Sequence, residues 1–219
     1  MGIEDHWNPQ KVNLNSFKES DRKDFEQGSQ GNVDRNYGQY ELFLGIDFKS
    51  MKGKRVLDIG GGVTGKMAKD ASEKFGVDVV TMSPEYDPEL VSKEAELTNS
   101  LQGKLIVGRA QEIPFEDNTF DFELALYSIP MYLPPVISEY EKSLREIIRT
   151  LKPAGKAHIF PVKAHFNGEL DDPLFSEALK LIGSEITYTH EYTRGSKGIN
   201  HRVIITKRDS LPDKKEEVI

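Results

Sequence analysis

The chain contains no cysteine, which excludes disulfides, thiolate metal sites and cysteine nucleophiles together. It has one tryptophan, Trp7, and no apolar run near the roughly 20 residues that cross a bilayer. A basic surplus is also missing: 29 Lys and Arg stand against 36 Asp and Glu, for a net charge of −7. A protein built to grip nucleic-acid backbone would have the opposite balance. The start, Met1-Gly2-Ile3-Glu4-Asp5-His6-Trp7, is polar and acidic, unlike a secretory signal. His6, His158, His165, His190 and His201 are scattered without ligand spacing, so no metal is expected. These absences make a soluble cytoplasmic protein the expectation, with neither nucleic acid nor membrane as partner.

What is present is an ordinary globular composition, 37% hydrophobic and 30% charged over 219 residues, enough for one sizeable domain. Its most informative stretch is Val56-Leu57-Asp58-Ile59-Gly60-Gly61-Gly62-Val63-Thr64-Gly65. Residues 56–59 read as a short buried strand and the glycines as a turn, after which the pattern becomes helical. Such a junction leaves free backbone N–H groups at a helix start, where a ligand approaches the main chain without meeting a Cβ. Alone, the glycine run serves NAD, FAD and nucleotide binders equally well.

Around it the chain alternates. An amphipathic helix over 37–49 presents Tyr40, Phe43, Leu44 and Phe48 on one side, and residues 1–35 form an arm packing on or over the domain. Helices are expected over 66–75 (closed by Gly76), 88–101, 137–151 and 173–182. Strands are expected over 56–59, 77–82, 105–107, 120–127 and 157–162, with Lys152-Pro153-Ala154-Gly155 breaking the preceding helix. Strands alternating with helices make a parallel sheet covered on both faces. Two last strands, 185–192 and 201–207, are joined by too few residues for a crossover helix and must be antiparallel. A charged tail follows from about 209.

With these motifs in order, the chain resembles the class I S-adenosylmethionine-dependent methyltransferases. Residues 56–65 look like that family's first motif, an acid at a strand end followed by glycines. The stretch Gly108-Arg109-Ala110-Gln111-Glu112-Ile113-Pro114-Phe115-Glu116-Asp117-Asn118-Thr119-Phe120-Asp121 is similar to its segment between the third and fourth strands. Leu151-Lys152-Pro153-Ala154-Gly155 resembles its turn before the fifth. The resemblance implies an α/β, Rossmann-like sheet of seven strands over 36–208, mostly parallel, with an antiparallel C-terminal pair. It implies S-adenosylmethionine as cofactor and a small-molecule methyl acceptor. Asp58, Gly60, Gly61 and Gly62 would hold the methionine half, Asp58 facing the ammonium directly or through water. Ala110 and Gln111 would meet the adenine, and Tyr127 and Ser128 would face cofactor and substrate. Asp121 is mostly structural in the family.

Two positions depart from the pattern. The family's ribose-binding acid falls on Thr81, beside Met82, and Thr81 offers no bidentate acceptor. Arg109 stands where an aspartate commonly meets the adenine amino group, and Glu85 or Asp87 is the available substitute for the missing acid. If the acceptor needs a general base, His165, Tyr132 and Tyr127 are the candidates. The altered adenosine half leaves a second reading, a non-catalytic or repurposed binding subunit; an NAD-type oxidoreductase is favoured only by the glycines.

Overall fold

The computed structural model describes residues 35–61, 65–84, 104–163, 170–193 and 200–209. Along the chain run α1 (Tyr37–Leu44), a 3-10 turn (Phe48–Met51), β1 (Arg55–Ile59), α2 (Lys66–Phe75), β2 (Asp78–Ser83) and β3 (Leu105–Val107). They are followed by β4 (Phe120–Leu126), α3 (Ile137–Thr150), β5 (Leu151–Lys163), α4 (Pro173–Leu181), β6 (Ile186–Thr193) and β7 (Asn200–Lys207). The N-terminal arm before Arg35, Gly62, the expected 88–101 helix with Glu85 and Asp87 before it, His165 and the tail beyond Asp209 lie outside the described residues.

The strands form one seven-stranded sheet in the order β3-β2-β1-β4-β5-β7-β6. The first five are parallel, and β7 is antiparallel to both β5 and β6. This is the α/β sheet with an antiparallel ending that the alternation implied. β1 is central, and its Val56, Leu57 and Ile59 are buried because helices cover both faces. One apolar cluster gathers Ile147 and Ile148 of α3 and Phe175 and Leu179 of α4 against one face. The other gathers Tyr40 and Leu44 of α1, Phe48 and Met67 of α2.

α1 is shorter than its apolar pattern suggested. Gly45, at φ 64°, takes the left-handed conformation that ends the helix after Leu44. The chain resumes as a 3-10 turn, so Phe48 is still buried. Asn36 closes the other end with a capping box to Gln39, worth about 1 kcal/mol. The Lys152-Pro153-Ala154-Gly155 segment does not separate helix from strand. α3 ends at Thr150, β5 begins at Leu151, and the extra residues bulge between the Phe120↔Leu151 and Phe122↔Lys156 pairs, with Ala154 at φ 60°.

His158 ties α1 to the sheet. Its Nδ1 donates to the carbonyl of Leu44 at 3.0 Å, and burial pushes its pKa down to about 4, so the ring is neutral near pH 7. At the amino end of the sheet Asp121 accepts from the Arg55 N–H at 3.0 Å, Lys152 at 2.9 Å and Lys54 at 3.3 Å. It thereby pins β4 to the starts of β1 and β5.

Candidate active site

Asp58 is fully buried one residue before the end of β1. Its Oδ1 accepts from the Tyr40 hydroxyl of α1 at 2.9 Å, and its Oδ2 meets the Thr81 hydroxyl of β2 at 3.4 Å. The β1–β2 register sets Asp58 opposite Thr81, so the two side chains share a face. Gly61 lies directly over this group: a Cβ there would overlap both Asp58 Oδ2 and Thr81 Cγ2. Gly60, at φ 77°, donates its N–H to the Met82 carbonyl at 2.7 Å, which fastens the turn to β2. A Cβ on Gly60 would sit 2.5 Å from the Ser128 Cβ. Glycine is therefore required at both positions by close neighbours, and at Gly60 by φ as well.

Thr81 stands inside β2, completely buried, and its hydroxyl belongs to Asp58 rather than to the open end of the strand at Ser83. Met82 points to the other face, where its sulfur lies 2.6 Å from where a Cβ on Gly108 would be. α2 begins at Lys66 behind Gly65, which has no side chain with which to cap the helix. The positive end of the helix dipole is directed at the turn.

The segment after β3 is held by α3. A tight turn brings the Glu112 N–H to the Arg109 carbonyl at 3.0 Å. Ala110 is buried in the core, Gln111 donates its side-chain amide to Glu139 at 3.2 Å, and Arg109 is exposed. Farther along, Arg149 donates to the carbonyls of Phe115 and Ile113 at 2.7 and 2.8 Å, and Glu146 accepts the Ile113 N–H at 2.8 Å. The Arg149 side chain holds the Glu146 carboxyl below its ordinary range, against the opposing effect of burial. A cleft of about 690 Å³ borders this segment, lined by Pro84, Val107, Gly108, Arg109, Phe115 and Arg149 among others. It touches the candidate adenosine side at Pro84 and Arg109 but does not reach Asp58 or Gly60.

Tyr127 follows β4 at φ 54°, an uncommon conformation for a bulky residue and one concentrated at functional sites. Its ring packs edge-on against Phe43 and Phe160 and under the Arg35 guanidinium, 4.4 Å from the centroid. Burial holds its phenol well above the usual range, so it stays protonated at neutral pH. Ser128, next to Gly60, has its hydroxyl oxygen buried with no hydrogen-bond partner among the described residues. Beyond it Ile129 is buried, whereas Tyr132 is 65% exposed.

The structure thus brings Asp58, Gly60, Gly61, Thr81 and Ser128 together, and leaves Tyr132 at the surface. Sequence spacing missed the roles of four residues. Tyr40 was visible only as one more residue of an apolar helical face. Nothing in the helical pattern of α3 singled out Arg149. His190 and His201 looked unrelated, yet the β6–β7 register sets their Nδ1 atoms 2.7 Å apart beside the end of β5.

Residues 57–159, which hold Asp58, the turn and the segment after β3, match the model of a methyltransferase domain. Over that span, just under half of the chain, the protein is similar to a methyltransferase domain, and its sheet has the class I, Rossmann-like strand order. S-adenosylmethionine is the cofactor which that likeness implies. The chain is 36% identical over 104 residues to the sterol 4-C-methyltransferase of Caenorhabditis elegans, covering 48% of this chain and 30% of that protein. It is 28% identical over 131 residues to the ubiquinone/menaquinone biosynthesis C-methyltransferase of Idiomarina loihiensis, covering 55% and 49%. It therefore spans less than half the length of either relative. A geranyl diphosphate methyltransferase solved with GPP and sinefungin shares the fold at 14% identity and a TM-score of 0.54, over 78% of each chain. Among the described residues no helix is long and apolar enough to cross a membrane.

Proposed function

We propose that this protein transfers a methyl group from S-adenosylmethionine to a small-molecule acceptor. The observation that carries the proposal is the Gly60–Gly61 turn seated on the buried Asp58 at the carboxyl ends of β1 and β2, where a doubly wound sheet receives its ligand. The two relatives' names, both of C-methyltransferases of small molecules, support the acceptor class.

The bound cofactor supplies an electrophilic methyl on a sulfonium. The chain's own contribution is placement. The glycine turn offers backbone without side-chain bulk, α2 directs the positive end of its dipole at the turn, and the Asp58 carboxyl group lies beneath it. Ser128, packed against Gly60, offers one hydroxyl, unpartnered among the described residues, beside the turn and Ile129 follows it with apolar bulk, which favours an apolar molecule oriented by one hydroxyl. Neither tyrosine suits the part of general base: Tyr127 keeps its proton and Tyr132 stands in solvent. Among the described candidates this favours an acceptor that needs little base assistance.

Calorimetric titration with S-adenosylmethionine and with S-adenosylhomocysteine tests the proposal. One-site binding of both is expected; no heat from either at millimolar concentration rejects it. A second reading, a methyltransferase-like binding subunit, is favoured by Thr81, which is turned inward to Asp58, and by the exposed Arg109. It predicts a folded protein that binds neither compound.

A further inference from the structure

Among the described residues, the network beneath the glycine turn has one member from outside the sheet. Tyr40 comes from α1, is 2% exposed, and spends its hydroxyl on Asp58 Oδ1 at 2.9 Å. Phenylalanine would fill the same space on that apolar face without the cost of burying a polar group. The hydroxyl is accounted for by Asp58. Thr81 approaches the second oxygen from β2, at the longer distance of 3.4 Å. Because no Cβ fits between Gly61 and Asp58 Oδ2, the position of the carboxylate fixes how low the turn can sit. α1 is itself held elsewhere, by His158 on the Leu44 carbonyl and by Phe43 stacked on Phe160 with centroids 5.2 Å apart. A shift of α1 therefore moves the hydroxyl that orients Asp58, and with it the turn.

We propose that Tyr40, and secondarily Thr81, are positioning residues that act through Asp58 on the Gly60–Gly61 turn, making the docking of α1 a condition of cofactor affinity. This rests on the turn being the cofactor site, as proposed above. Neither side chain touches the cofactor; each removes one way for the carboxylate to rotate away from the turn.

The test is calorimetric titration of S-adenosylhomocysteine into the full chain and into Y40F, T81V, T81S and the Y40F/T81V double variant, with the unfolding midpoint of each recorded. Y40F is expected to weaken binding about tenfold, in line with loss of one hydrogen bond to a charged group, and T81V about threefold. T81S, which keeps the hydroxyl, stays within about twofold of the parent. The double variant loses less than the product of the single losses, because both act on one carboxylate. A purely structural role would lower the unfolding midpoint without this dependence on the hydroxyl. Should Y40F fail to fold, the contrast between T81V and T81S carries the test alone. Y40F and T81V both within twofold of a parent that binds would overturn the positioning role and leave the function standing. A parent that does not bind overturns the function itself.

Discussion

Asp58 and Asp121 are aspartates on neighbouring strands at opposite ends of the sheet, and their partners differ in kind. Asp121, near the amino end, is met by two lysines and a backbone N–H at 2.9 to 3.3 Å and remains partly in contact with solvent. Burial raises its pKa, but the Arg55 N–H and Lys152 outweigh it, so the carboxyl lies below its model-compound value. Asp58, near the carboxyl end, is fully buried, and the hydroxyls of Tyr40 and Thr81 reach its two oxygens. Lysines hold a carboxylate chiefly by charge, whereas hydroxyls fix the direction in which it points. The amino end is built for holding strands together, the carboxyl end for seating a glycine turn on an oriented carboxyl group.

The comparison breaks if a change at one end has the consequence expected of the other. The largest effect is expected from Gly61→Ala, whose Cβ overlaps the Asp58 carboxylate. It should weaken S-adenosylhomocysteine binding about a thousandfold, or ~4 kcal/mol, by calorimetry, and retention within tenfold would remove the turn from the site.

His158 sharpens the comparison through α1. Its folded pKa of about 4 lies below the ordinary 6.5, so its stabilising effect is complete above 6.5 and is lost as pH falls through 4. Urea unfolding between pH 7 and pH 4 should show a loss on the order of 3 kcal/mol from this residue. His158→Gln should lack that part of the pH dependence. An identical acid sensitivity in the variant would show that α1 is latched by something else.

Asp121→Asn should cost about 1–2 kcal/mol at pH 7 and leave cofactor affinity unchanged. Because the folded pKa is depressed, the stabilisation is present above the ordinary value of 3.8 and disappears as pH falls below it. Parent and variant should converge there in thermal unfolding.

The smallest effect belongs to Glu123, fully buried on β4 with Thr150 donating to it at 2.6 Å. Burial raises its pKa well above the usual range, with the Thr150 hydrogen bond opposing. Its contribution is therefore favourable below the ordinary 4.5 and is lost as pH rises through the folded value. Glu123→Gln should raise the unfolding midpoint by roughly 2–4 °C at pH 8 and not at pH 4; a drop at pH 8 would contradict the burial argument.

How far the sequence discloses this molecule follows from the range of the interactions. The strand over 56–59, the helix from Lys66 to Gly76 and the apolar rows of α3 are legible because period and caps are local. The antiparallel ending is legible because loop length forbids a crossover. Asp58 and its glycines are legible as a candidate site because strand, acid, turn and helix are contiguous. Tyr40 is not, since its bond to Asp58 joins two elements whose contact depends on how α1 lies on the sheet. Gln111 read as a base-edge contact, but its amide is taken by Glu139 across the loop–helix boundary. Thr81 was visible as a missing acid, while the direction of its hydroxyl emerges only once β1 and β2 are in register.

Amide hydrogen exchange of the full chain, with and without saturating S-adenosylhomocysteine, tests the difference between the two ends most directly. Slower exchange at Ile59, Gly60, Gly61 and Ala110 is expected, with no change around Asp121 and Lys152. An unprotected turn, or protection centred on the Asp121 end, would contradict the account.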